Sequence, residues 1–163
     1  MGIKQKIIMK KLFILTFVAL SLSLGVMAQS TYKNSIGLGL DFGTGQTLVG
    51  PSFKHFFNAN SALQPELLFG DHTTRLQVFY QYHQGISGAQ GLNWYIGGGP
   101  GVNFFKYGNY DNTTFLLIPQ AGLDFKIPGA PIALDFDWRP TAFIGDNSDF
   151  EAGRFGFGFR FTF

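Results

Sequence analysis

Phe155-Gly156-Phe157-Gly158-Phe159-Arg160-Phe161-Thr162-Phe163 closes the 163-residue sequence, with phenylalanine at every odd position and Gly, Arg or Thr at every even one. Successive side chains of an extended chain point to opposite sides, so a period of two puts all of the rings on one face of a strand. A soluble edge strand that left this row of rings in water would invite aggregation. A strand whose outer face meets lipid carries no such cost. The segment predicts a lipid-facing β-strand.

The other end of the chain predicts export. Lys4, Lys6, Lys10 and Lys11 precede an uncharged, mostly apolar run over residues 12–26, and Val26-Met27-Ala28 offers small residues where a signal peptidase cuts. The run is short beside the roughly 20 residues of a membrane-spanning helix. No Cys follows it, which excludes an acylated lipoprotein leader. Residues 1–28 are thus expected to be a cleaved signal peptide and residues 29–163 a single barrel domain. Of the 12 basic residues four lie in the leader, so the remainder carries eight against 10 acidic ones and is mildly acidic. A clustered basic surface for nucleic acid is missing from that balance.

Between the two ends, alternating segments recur at about residues 36–42, 49–57, 62–69, 75–82, 92–105, 114–125 and 132–139, with the terminal strand as the eighth. Turn-like clusters separate them, and no window shows a helical period. Tilted membrane strands need roughly 9–11 residues, and an even number of them closes an antiparallel barrel with both termini at one end. The expected fold is all-β: an eight-stranded antiparallel up-and-down transmembrane β-barrel. Residues 106–113 read as a polar outer loop, and residues 144–149 as part of another. Pro51, Pro65, Pro100, Pro119 and Pro140 fall in or beside the strands, where a missing N–H breaks the ladder. Bulges or rim positions are expected there, above all at Gly98-Gly99-Pro100-Gly101.

Alternation alone leaves the choice of inner face open, and the non-apolar register decides it. That register is small and sparse, with Gly37, Gly39, Gly97, Gly99, Gly101, Gly156 and Gly158, too few charges for a water-facing surface. It also holds Asp41, Glu66, Asp124, Asp135 and Asp137 against Lys54, Arg75, Arg139, Arg154 and Arg160. Buried ions must be paired, and this parity predicts a lumen charge network that fills the barrel.

Three further stretches are distinctive: Ser52-Phe53-Lys54-His55-Phe56-Phe57 before an Asn-Ala-Asn-Ser turn, Gly91-Leu92-Asn93-Trp94-Tyr95-Ile96-Gly97-Gly98-Gly99-Pro100-Gly101, and Ala133-Leu134-Asp135-Phe136-Asp137-Trp138-Arg139-Pro140. With the terminal strand, they resemble the small outer-membrane β-barrels grouped with opacity-type surface antigens and outer-membrane-protein-A-like barrels. The row Phe155, Phe157, Phe159, Phe161 and Phe163 resembles the C-terminal targeting strand of such proteins. The resemblance implies a cell outer-membrane location, contact with outer-membrane lipid and delivery by the barrel-assembly machinery. It does not imply one activity, since members include adhesins and structural proteins.

Motifs for chemistry are thin. His55, His72 and His83 lack a His-x-Ser arrangement, and His55 and His83 read as residues of the membrane interface. Asp146, Asp149 and Glu151 depart from the calcium-loop pattern, and residues 43–47 lack the Gly-Lys-Ser/Thr end of a phosphate loop. Asn112-Thr113-Thr114 matches a glycosylation acceptor, which means little in a bacterial exported protein. No catalytic residue, metal site or cofactor is expected. Tyr107, Tyr110 and Phe150 are candidate contacts for an extracellular partner or, equally, aromatic girdle residues of the membrane interface. The sequence thus points to a non-enzymatic structural or surface-interaction barrel, with a narrow small-solute channel as the alternative and a lipid-modifying enzyme behind both.

Overall fold

The structure, a computed structural model, describes residues 32–146 and 148–163, so the expected signal peptide over residues 1–28 lies outside the described residues. All regular structure among the described residues is β. The strands are β1 (Asn34–Gly43), β2 (Leu48–Phe56), β3 (Ser61–Gly70), β4 (Thr73–Gly85), β5 (Leu92–Tyr107), β6 (Tyr110–Lys126), β7 (Ile132–Trp138), β8 (Thr141–Ile144), β9 (Asp149–Glu151) and β10 (Arg154–Thr162). The wall strands follow one another in an antiparallel meander, and pairing of β1 with β10 closes it into a barrel. β7 and β8 form one wall strand interrupted at Arg139-Pro140, and β9 and β10 another interrupted at Ala152-Gly153, which gives a closed eight-stranded barrel. The start of β1 and the C-terminus meet at one end, hereafter the end with the termini, where Asn34 and Phe163 exchange backbone hydrogen bonds.

Two expectations about the wall are corrected. Residues 106–113 are not a loop: β5 and β6 pair from Leu92↔Phe125 up to Tyr107↔Tyr110, leaving a two-residue turn. Above the apolar belt the hairpin loses its apolar alternation, which is why it reads as loop in the sequence. The wall is consequently uneven, with β5 and β6 at 16 and 17 residues and β1, β2 and β3 at 9–10.

Pro51, Pro65, Pro100 and Pro119 make no bulge, and an inserted residue is found only opposite Pro140. Pairing of β4 with β5 keeps one register on both sides of Pro100 and skips only Val78 and Phe79 (Gln77↔Gly101, then Tyr80↔Gly98), so no residue is inserted at Gly98–Gly101. Pro51 and Pro65 likewise interrupt the β2–β3 ladder between Val49↔Phe69 and His55↔Leu63 without shifting it. Pro119 and Pro140 fall opposite one another in the unpaired stretch between Ala121↔Trp138 and Leu117↔Ala142. The Arg139 N–H bonds the Arg154 carbonyl, and N–H directions alternate along a strand. Both missing N–H positions therefore face each other, and the two defects coincide. A register shift does occur at Ala152-Gly153, where β9–β10 carries one residue more than the facing β7–β8.

The outer surface is a belt of exposed Ile36, Leu38, Leu67, Leu76, Ile96, Leu117, Phe136, Phe159 and their neighbours. Every charge among the described residues lies either inside the barrel or at its ends. Lys33 and Lys126 are at the end with the termini; Asp71, Lys106, Asp111, Asp146, Asp149 and Glu151 are at the other. No charge interrupts the belt between them.

Candidate functional site: the lumen charge network

The inner face begins with room for side chains. A Cβ on Gly156 would collide with the Arg139 guanidinium, and one on Gly158 would lie 2.7 Å from Asp135 Oδ1. The wall thus gives up side chains where the long bases from other positions cross the lumen. Asp41, Lys54, Glu66, Arg75, Asp124, Asp135, Asp137, Arg139, Arg154 and Arg160 all point inward and are buried. They assemble in three tiers.

Nearest the termini, Lys54 Nζ stands 2.7 Å from Asp124 Oδ2 and 3.5 Å from Asp135 Oδ2. Asp124 and Asp135 are direct cross-strand partners, a like-charge juxtaposition that is unfavourable on its own. Lys54 bridges them, and Arg160 pairs with Asp135 and donates to Ser52 Oγ at 2.8 Å. Tyr32, just before β1, donates its hydroxyl to Asp124 Oδ2 at 2.8 Å. Burial and the nearby Asp124 charge push its phenol well above the ordinary range, so it stays a donor.

In the middle tier Arg139 grips Asp137 with Nε at 2.6 Å and Nη2 at 2.8 Å, the two-pronged geometry that suits a guanidinium and a carboxylate. Its Nη1 reaches Glu66 Oε2 at 3.0 Å. Glu66 also accepts from Ser52, Gln64 and Gln77, at 2.8–2.9 Å. Tyr95 donates to Asp137 at 2.6 Å. A buried carboxylate with this many donors has its desolvation offset in place.

The third tier, towards the far mouth, centres on Asp41. Arg154 gives it Nε at 2.8 Å and Nη2 at 2.5 Å, and Arg75 Nη1 reaches its other oxygen at 3.0 Å. Arg139 Nη1 stands 3.9 Å from the same oxygen and links this tier to the one below.

Several lumen residues were not singled out by sequence reasoning. His83 is buried in the lumen rather than at the membrane interface: it stacks on Tyr95 with ring centroids 4.8 Å apart, and its Nε2 is 3.0 Å from Gln81 Oε1. The signal was available, because His83 continues the odd-numbered inward row of Arg75, Gln77, Phe79 and Gln81. Phe79, Leu116 and Ile118 form a buried apolar cluster inside the barrel, with Phe143 against it and the Arg139 guanidinium 5.3 Å from the Phe79 ring centre. Here the sequence offers less, since residues 115–118 are apolar throughout and reveal no face.

Phe157, Phe159, Phe161 and Phe163 lie exposed on the outer face, and Phe155 is half-buried between Phe42 and Phe136. Tyr107, Tyr110 and Phe150 are exposed at the far end. His72 sits in the β3–β4 turn with φ 57° and packs edge-on against Tyr107 at 4.8 Å. His55 Nδ1 is 2.7 Å from Asn34 Oδ1. The three histidines are thus in three separate places. Among the described residues no group of His, Asp and Glu is placed to hold a metal ion.

No family model and no curated protein matches the chain. Among solved structures it is similar to the N-terminal β-barrel domain of Pseudomonas aeruginosa OprF, with a TM-score of 0.50 and 17% sequence identity over 80% of this chain and 100% of that one. At that identity the likeness is one of fold.

Proposed function

We propose that this chain is an integral outer-membrane β-barrel, of the kind its sequence resembles among opacity-type and outer-membrane-protein-A-like proteins, with a structural or surface-interaction role. One observation carries the reading: an uncharged apolar belt surrounds the barrel, while ten charged side chains are turned inward and paired. In water that arrangement places apolar and charged groups in each other's proper places; in lipid each meets its own environment. Delivery through the terminal phenylalanine strand to the assembly machinery, and contact of the far-end aromatics with an extracellular partner, belong to the same proposal. It includes no catalytic step and no cofactor. The test is the washed outer-membrane fraction run unheated and boiled on a denaturing gel. A band there whose mobility shifts on boiling is the expected result, as for a closed detergent-resistant barrel. A soluble periplasmic protein would overturn the reading.

A further inference from the structure

At the mouth opposite the termini the barrel holds a cavity of about 250 Å³, bordered by Gln46, Thr73, Arg75, Asn103, Glu151 and Arg154 among others. That is below the roughly 300 Å³ at which drug-sized ligand pockets begin, and suits a small ion or group. Its floor is two guanidiniums, with Arg75 3% and Arg154 1% exposed.

The two are not equivalent. Arg154 spends its donors on Asp41, on the carbonyls of Thr44 and Gln46, and on Glu151 at 3.4 Å. Arg75 gives Nε to Asn103 Oδ1 at 2.7 Å and Nη1 to Asp41 at 3.0 Å, but its Nη2 group has no hydrogen-bond partner among the described residues. Nη2 is not sealed off as a buried orphan but is open to the cavity that Arg75 lines, so it is an uncommitted donor there. Asp41 does not take it up, because both its oxygens are already engaged.

Other donors border the same cavity. Thr73 accepts from Gln46 Nε2 at 2.6 Å and keeps its own hydroxyl proton to give. Asn103, with Oδ1 committed to Arg75, has its Nδ2 group free for an acceptor. Thr73 and Arg75 come from β4, Asn103 from β5 and Thr114 from β6, so donors belong to three adjacent strands. An acceptor with oxygens in several directions suits them better than a planar one. Glu151 is the carboxylate in the lining, and Arg154 offsets its charge. The exposed Asp71, Asp111, Asp146 and Asp149 lie at the same end, where salt screens their repulsion over about 8 Å.

We propose that this cavity binds a phosphate group, with Arg75 as its principal contact. The group's source is either free phosphate and its small esters or the phosphate of a lipid headgroup at the membrane surface. The site requires the closed barrel alone and not its membrane setting, so either proposal can fail without the other.

The test is calorimetric titration of the folded barrel in detergent micelles with inorganic phosphate at constant ionic strength, with acetate as the planar comparator. Saturable phosphate binding is expected, weakened at least tenfold in Arg75→Gln and in Gln46→Glu, and unchanged in Lys126→Gln at the opposite end. Each variant is first shown to shift on boiling. If Arg75→Gln does not fold, Gln46→Glu, which places a carboxylate at the half-exposed rim, decides the matter. A wild-type barrel without saturable phosphate binding, an affinity unchanged by these two variants, or acetate bound as tightly would overturn the proposal. Displacement of phosphate by intact but not dephosphorylated lipopolysaccharide would assign the lipid source, and no displacement by either would assign the free ion.

Discussion

Lys54 shows what a single residue does in this lumen. It stands between two carboxylates that the register forces side by side, Asp124 and Asp135. Removing it leaves like charges facing each other in a buried site. Lys54→Met is therefore expected to cost about 3–5 kcal/mol, the range for stripping one partner from a buried ion pair. A double variant that also carries Asp124→Asn should recover much of the loss. Equilibrium urea unfolding into lipid vesicles measures both; equal stability of Lys54→Met and the parent would remove the bridge from the account. Much at this scale was legible in the sequence, because the inward register and its parity of charge follow from a period of two. The partners were not. Arg154 meets Asp41 across 113 residues of sequence and Lys54 meets Asp124 across 70, distances that only the closure of the barrel brings to contact. His83 could have been read from its row, whereas Leu116 and Ile118 could not, since their outward neighbours are equally apolar.

At the level of strands, the facing prolines make a local and checkable claim. Pro119 and Pro140 each lack the N–H that the other's carbonyl would accept, so one short gap in the β6–β7/β8 seam contains both losses. The double variant Pro119→Ala, Pro140→Ala should close it, with two new amides protected from hydrogen exchange and stability higher by about 1 kcal/mol per bond. Fast exchange at both positions, followed by NMR in micelles, would show that the gap has another cause. Sequence reasoning expected bulges or rim positions at the prolines, and an inserted residue is found only in the strand facing Pro140. Whether a proline shifts a ladder or merely interrupts it depends on the partner strand, which no local window contains. The same limit hid the tall hairpin, whose Tyr107, Tyr110, Asn112 and Thr113 carry no apolar alternation once the strands leave the belt.

For the molecule as a whole, the tiers set the terms on which plug and pore can be told apart. Asp41, Arg75 and Arg154 cross the lumen at one level and Glu66, Asp137 and Arg139 at the next, joined through Arg139. An ion passing through would have to part charges that are paired in a desolvated interior, which costs several kcal/mol at each level. Planar bilayers holding the purified barrel are expected to show no steady conductance. Steady openings, altered in size by Asp137→Ala or Arg139→Ala, would instead establish the narrow channel.

The unequal wall has its own consequence. β5 and β6 exceed β1–β3 by at least six residues, roughly 20 Å of extended chain at 3.4 Å per residue. The barrel therefore has a compass bearing: one flank is a parapet, the opposite flank a doorstep. Anything sliding over the surface reaches the mouth from the β1–β3 side and is met by the hairpin from the other, so neighbours in a crowded layer encounter a molecule that faces one way.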